Sequence, residues 1–207
     1  MSFQQKTLDL ARRRVGELST GFAGYVSAFE SESLFTGPSL YFHHKTLAIR
    51  RELACSVEAC LKSDSNFESL YATLASWGLH RMGPGKTKLV EFSEMVCSFR
   101  LQAENLKDLA RINIHELSPE GLRHTTGLIW KLIWDLRVGV GSTKIVSGSK
   151  ALHHLLPELV PPIDREYTVQ FFLNNKNAIQ GDETKQREAF WLMYPYFVAV
   201  CRDRRSK

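Results

Sequence analysis

The sequence predicts an all-α fold. Apolar residues recur at helical spacing through most of its length, no alternating strand pattern interrupts them, and cap and breaker residues punctuate the segments between. Leu8, Leu10, Ala11, Val15 and Leu18 predict an opening amphipathic helix with arginines on its outer face, ended by a loop around Ser19-Thr20-Gly21. A second break falls at Thr36-Gly37-Pro38-Ser39. Ile49, Leu53, Ala54, Val57 and Leu61 place a helix over residues 47–61. Ser63-Asp64-Ser65-Asn66 then supplies turn and N-cap chemistry for a helix carrying Phe67, Leu70, Tyr71, Leu74 and Trp77. Gly83-Pro84-Gly85 is a firm break, and helices follow near 87–100 and 105–112. Ser118 as N-cap and Pro119 at the first helical position open a helix through Leu122, Ile129, Leu132, Ile133 and Leu136, ending near Val138-Gly139. A hairpin with Gly139, Gly141 and Gly148 leads into a helix at Ser149. Residues 165–173 form another helix, Asn174 to Asn177 a polar loop, and Glu183 to Val200 a last helix kinked by Pro195.

Bulk composition narrows the function classes. At 207 residues the chain is read as one globular unit, two helical lobes around a cleft, with ample core. The net charge is +5 and the isoelectric point about 9.1. Basic residues cluster at Arg12-Arg13-Arg14, at Lys45 with Arg50-Arg51, at Arg81 with Lys86 and Lys88, and at Arg202, Arg204, Arg205 and Lys207. Such clusters attract phosphates, or are simply solvated faces. Cys55, Cys60, Cys97 and Cys201 lack the paired spacing of a zinc or iron–sulfur site, so no metal and no cofactor are expected. Cys55 and Cys60 read as buried thiols in a reducing compartment. No stretch reaches the roughly 18–20 apolar residues that span a bilayer, and the N-terminus has no long apolar run. A cytoplasmic, monomeric protein without a membrane partner is expected.

Several motifs carry two meanings. Gly85-Lys86-Thr87 lacks the glycine five positions earlier that a phosphate-binding P-loop needs, because His80 stands there. His43-His44 and His153-His154 are adjacent pairs whose members diverge by about 100° on a helix, so one buried, hydrogen-bonded ring and one exposed ring near a phosphate path fit better than metal ligation. Tyr41 and Phe42 are core aromatics or a wedge that fills the gap left by an extruded base. Trp77 is a core tryptophan closed by Gly78, with His80 and Arg81 facing whatever lies beyond that helix end.

The most informative stretch is Val146-Ser147-Gly148-Ser149-Lys150-Ala151, with the 122–137 helix before it and Pro161-Pro162-Ile163-Asp164 after it. A helix start gathers unpaired backbone N–H groups that suit an anion. Over roughly residues 120–170 the chain resembles the helix-hairpin-helix DNA glycosylase superfamily, and it is similar to small helical proteins with a Ser-Lys-x-Leu-His…Pro-Pro-x-Asp signature. The resemblance places the helix-hairpin-helix-like core at about 119–173, with residues 1–118 and 174–207 forming the other lobe and packing shell. It implies a DNA N-glycosylase that flips a damaged or modified base out of double-stranded DNA, in repair or against modified phage DNA. Lys150 falls where the family's Schiff-base lysine lies and Asp164 where its essential aspartate lies, which implies possible lyase chemistry. It further implies phosphate contacts from Gly148, Ser149, Lys144, His153, Arg165, Lys86 and Lys88. Tyr41, Phe42, Trp77, His80 and Arg81 would form the base pocket or wedge. Two departures stand out: Val146 or Ser147 occupies the hairpin's first glycine position, and the lysine-to-aspartate stretch is about one helical turn short. The competing expectation is a non-catalytic helix-hairpin-helix DNA-binding module in which Asp164 merely caps the next helix. An RNA-directed helical protein is a third.

Overall fold

The structure, a computed structural model, describes residues 3, 5–31, 36–80 and 88–205. Among these residues the fold is all-α. The helices are α1 (Gln5–Ser31), α2 (Gly37–Glu52), α3 (Val57–Lys62), α4 (Asp64–Leu74), α5 (Phe92–Leu101), α6 (Ala103–Ala110), α7 (Pro119–Asp135), α8 (Lys144–Leu155), α9 (Gln170–Leu173) and α10 (Glu183–Arg205). A turn over Ala75–Leu79, in which Trp77 and Gly78 leave helical geometry, closes α4, and a wide helical turn over Arg165–Val169 leads into α9. The lone β-bridge among the described residues joins Leu89 to Gly139.

The central element is α8. It packs against α2 and α4 on one side and against α7 and α10 on the other. Ile145, Ala151, Leu152 and Leu155 are its fully buried apolar residues, each large side chain contributing about 1.5–3 kcal/mol of burial. Small hydroxyls let α2 approach α4. Thr46 Oγ1 lies 2.8 Å from both Ser69 Oγ and Thr73 Oγ1, and it donates to the Phe42 carbonyl. Arg50 ties α2 to the C-terminal end of α8, where a cation suits the helix dipole. Its Nε donates to the Leu155 carbonyl at 3.1 Å, and its guanidinium pairs with Glu158 at 3.1 Å.

Gly148 is a packing glycine. A Cβ there would lie 2.9 Å from the Ile133 carbonyl oxygen and 3.1 Å from its Cα, so only glycine permits this crossing of α7 and α8. Gly148→Ala is expected to lower stability by about 1–3 kcal/mol, measured as a drop in thermal midpoint. An unchanged midpoint would contradict the close crossing.

Several local expectations need correction. The predicted loop at Ser19-Thr20-Gly21 is absent, because α1 runs on to Ser31. Thr20 satisfies its hydroxyl on the Gly16 and Glu17 carbonyls within the helix, which removes a reason to break there. The single helix over 47–61 is instead two, separated where Ala54 and Cys55 both adopt φ of 55°. Ser56 restarts the chain as the cap of α3, accepting from Ala59 N. Cys55 is consequently exposed, while Cys60 is buried as expected. The helix placed at Ser149 begins five residues earlier, at Lys144.

Candidate active site

The earlier start of α8 rearranges the motif. The bend between α7 and α8 is built on Gly139 and Gly141, while Gly148 lies inside the helix. Val140 N donates to the Lys88 carbonyl at 2.9 Å and Val90 N to the Val138 carbonyl at 3.1 Å, which fastens the bend to the segment before α5. A buried glutamine holds it from the other side. Gln186 Oε1 accepts from Ile145 N at 3.2 Å, and its Nε2 donates to the carbonyls of Ser142 and Gly181. Two of the backbone donors at the start of α8 are already taken within the protein, because Lys144 N also donates to the Ser142 carbonyl at 3.1 Å. No feature of the sequence around position 186 signals this clamp.

Lys150 and Asp164 lie within electrostatic reach of each other, with no hydrogen bond or ion pair between them. Lys150 sits nearly two turns into α8, with Nζ 5.4 Å from the centre of the Trp77 ring. Burial pushes the Lys150 amine below its ordinary value, and the nearby Asp164 carboxylate pulls it partly back up. Two turns supply these neighbours. The Ala75–Leu79 turn delivers Trp77 with the aid of Gly78 at φ 83°. Trp77 Nε1 donates to the Ser39 carbonyl and Ser39 Oγ donates to that of Ser76, which locks the turn to the start of α2. The Arg165–Val169 turn begins at Asp164, whose Oδ1 accepts from Tyr167 N at 2.7 Å and from Thr168 N at 3.4 Å. Ser149 fixes the approach to Asp164 by accepting from Ile163 N at 3.0 Å.

Histidines complete the surroundings. His43 Nδ1 and His154 Nε2 are 3.1 Å apart, and His154 Nδ1 is 2.8 Å from the Lys150 carbonyl. The Trp77 ring lies 5.4 Å from that of His43 and 5.0 Å from that of His154. His153 stacks on His43 at 6.1 Å and bonds the Val160 carbonyl through Nδ1. Burial holds His43 down to about 4 and His154 down to about 3, with His153 adding like-charge repulsion to each. These rings are neutral at neutral pH. The pairing of residues 43 and 154 depends on α2 packing on α8, so neither histidine pair taken alone discloses it.

The other expected site residues divide. Ser149 is fully buried and Gly148 is packed against Ile133, so neither is a surface phosphate contact. Lys144 Nζ donates to the Trp134 carbonyl at 2.6 Å and lies 4.8 Å from that ring, turned toward α7. Arg165 pins the loop after α9 through the Lys176 carbonyl and Asn177. His153 is mostly buried and its Nδ1 is engaged, which corrects its assignment to an exposed phosphate path. Lys88 is exposed beside the bend. Tyr41 is exposed and meets Phe42 edge-on, while His80 is exposed with its ring against the Ala75 carbonyl. Arg81 and Lys86 lie outside the described residues, as does Gly83-Pro84-Gly85. Two surface hollows, around Arg100 between α4 and α5 and between α3 and α6, do not border Lys150 or Asp164.

Much of the basic charge is internal. Arg14, Arg50 and Arg202 each donate to backbone carbonyls of other segments, so the clusters that contain them are partly structural clamps, and Arg100 does the same at the Leu61 carbonyl. Among the described residues no group of three or more His, Cys, Asp or Glu side chains is arranged to hold a metal ion. None of the described helices is long and apolar enough to cross a membrane. Compared with known proteins, the chain matches no family model, no curated protein and no solved structure.

Proposed function

We propose that this chain is a DNA N-glycosylase-like enzyme that excises a damaged or modified base from duplex DNA. The observation that carries the proposal is a largely desolvated Lys150 amine beside the Trp77 ring, within electrostatic reach of the Asp164 carboxylate on the next element. Departure of a base leaves positive charge on the deoxyribose. A carboxylate oriented by backbone N–H groups stabilises that charge and directs the attacking nucleophile. A lysine whose charged form is disfavoured by burial supplies an amine at lower pH than an exposed one, and such an amine attacks the sugar carbon. The resulting imine permits strand cleavage. The bend at Gly139-Val140-Gly141 and the exposed Lys88 would hold the DNA backbone, with a helical lobe on each side of the groove. The resemblance named above points the same way.

A second reading has a specific observation in its favour. Asp164 caps the turn that follows it, as it would in a non-catalytic helix-hairpin-helix DNA-binding module. A base-release assay separates the two. The protein is incubated with lesion-bearing, ordinary and phage-modified DNA, and freed bases are identified by mass spectrometry. Release from at least one DNA is expected of the enzyme; tight DNA binding with no release from any of them would assign the binding module.

A further inference from the structure

Helices α7 and α10 run antiparallel. Near the start of α10, Gln186 reaches Ser142 and Ile145, beyond the end of α7. Near its finish, Arg202 reaches the carbonyls of Ile114 and Leu117, ahead of the start of α7. Between these points the Trp191 ring lies on Gly127, where a Cβ would meet the indole at 3.6 Å. Trp191 remains 39% exposed. Residues four apart share one stripe of a helix. Arg123 and Lys131 therefore flank Gly127 on α7, and Arg187 stands one turn before Trp191 on α10.

The antiparallel arrangement sets Arg123 and Arg187 on opposite sides of the indole, about 12 Å apart along the helix direction. Both are exposed, and among the described residues neither forms a hydrogen bond or ion pair. This distinguishes them from the inward-turned arginines above. Of the carboxylates nearby, Asp135 is held by Lys131 and Glu188 is engaged, while Glu183 lies in the first turn of α10, one turn before Arg187. Glu120 sits in the first turn of α7, where the helix dipole favours it.

We propose that this face binds a single-stranded segment of nucleic acid, with an unpaired base stacked on Trp191 and phosphates on Arg123 and Arg187. An aromatic face between two unpaired cations is the arrangement that grips a single strand without reading its sequence. The separation suits about three to four nucleotides at roughly 3.4 Å each. A duplex keeps its base faces stacked on one another and offers none to the indole. The proposal does not rest on base excision, and the residues involved are distinct from Lys150 and Asp164.

The test is fluorescence anisotropy of a labelled oligothymidylate, and of a matched duplex, across a salt series. The wild-type chain is expected to bind the oligothymidylate. Arg123→Glu with Arg187→Glu should weaken that binding at least tenfold and lower the salt slope by about 1.4, at roughly 0.7 per phosphate. Trp191→Ala should weaken it about tenfold with the slope retained. Trp191→Phe, which keeps a ring on Gly127, should fall between. The proposal is overturned by a wild-type chain that does not bind the strand, by unchanged affinity and slope in the charge variant, or by equal losses on the duplex. Base release by Asp164→Asn is read separately and bears only on the proposed enzymatic activity.

Discussion

Asp164→Asn is expected to abolish base release while leaving the fold and DNA affinity nearly intact. Two roles meet in this side chain, and the amide separates them. Asparagine keeps an oxygen that can accept from Tyr167 N and Thr168 N, and it ranks beside aspartate as a helix cap. Only the negative charge is lost. If the carboxylate stabilises charge on the sugar, base release should fall by at least about 100-fold. If Asp164 were a cap alone, the amide variant would release bases at the wild-type rate. Asp164→Ala removes cap and charge together and should lose a further ~1 kcal/mol of stability, visible in denaturant titration. Comparing the two variants therefore assigns the functional loss to charge and the structural loss to the cap.

Acid is expected to destabilise the chain well before carboxylates titrate, because its buried histidines fold in their neutral form. His43 is held to about 4 and His154 to about 3, against an ordinary value of 6.5. Below pH 6.5 the unfolded chain takes up protons that the folded chain refuses. Stability contributed by these rings is complete above pH 6.5, and it is lost as the pH falls toward 4 and then 3. For His154, which is almost fully buried, the slope is about 1.4 kcal/mol per pH unit within that window. Protonating both partners also breaks the His43–His154 hydrogen bond that joins α2 to α8. His44 adds to the repulsion at His43 and Arg50 at His153, while Glu158 offsets it at His153. Urea midpoints measured from pH 7.5 to pH 4 should decline steadily below 6.5. His154→Gln should flatten that decline, and an unchanged pH dependence in the variant would remove the cluster as its cause.

The helical class and several boundaries were legible in the sequence because local chemistry dictates them. Ser118 accepts from Gly121 N just ahead of Pro119, and Ser63 accepts from Asn66 N, as their side chains foretell. The break between α2 and α3 was not legible. Ala54 and Cys55 take left-handed conformations without glycine, so tertiary packing overrides their local preference. The start of α8 was misplaced for a similar reason. Thr143 makes no side-chain capping bond, whereas Gly148-Ser149-Lys150 imitates a helix start. Its glycine in fact serves the contact with Ile133, and its serine the turn toward Asp164.

The surroundings of Lys150 were only partly legible. Lys150 and Asp164 are paired by the glycosylase resemblance, although the stretch between them is about one helical turn short. His43, Trp77 and the Gln186 clamp reach the same region only through the packing of α2, α4 and α10, which leaves no local signature. Charge misled most. Clustered arginines look like a phosphate-binding surface, yet Arg14, Arg50 and Arg202 spend their donors on carbonyls inside the protein.

The most direct measurement is borohydride trapping on a DNA from which the protein releases a base, followed by peptide mapping of the adduct. The expected result is a covalent DNA adduct on Lys150, absent from Asp164→Asn. An adduct on Lys144 or another lysine, or an active protein that yields none, would contradict the assignment of Lys150 and Asp164 as one reacting pair.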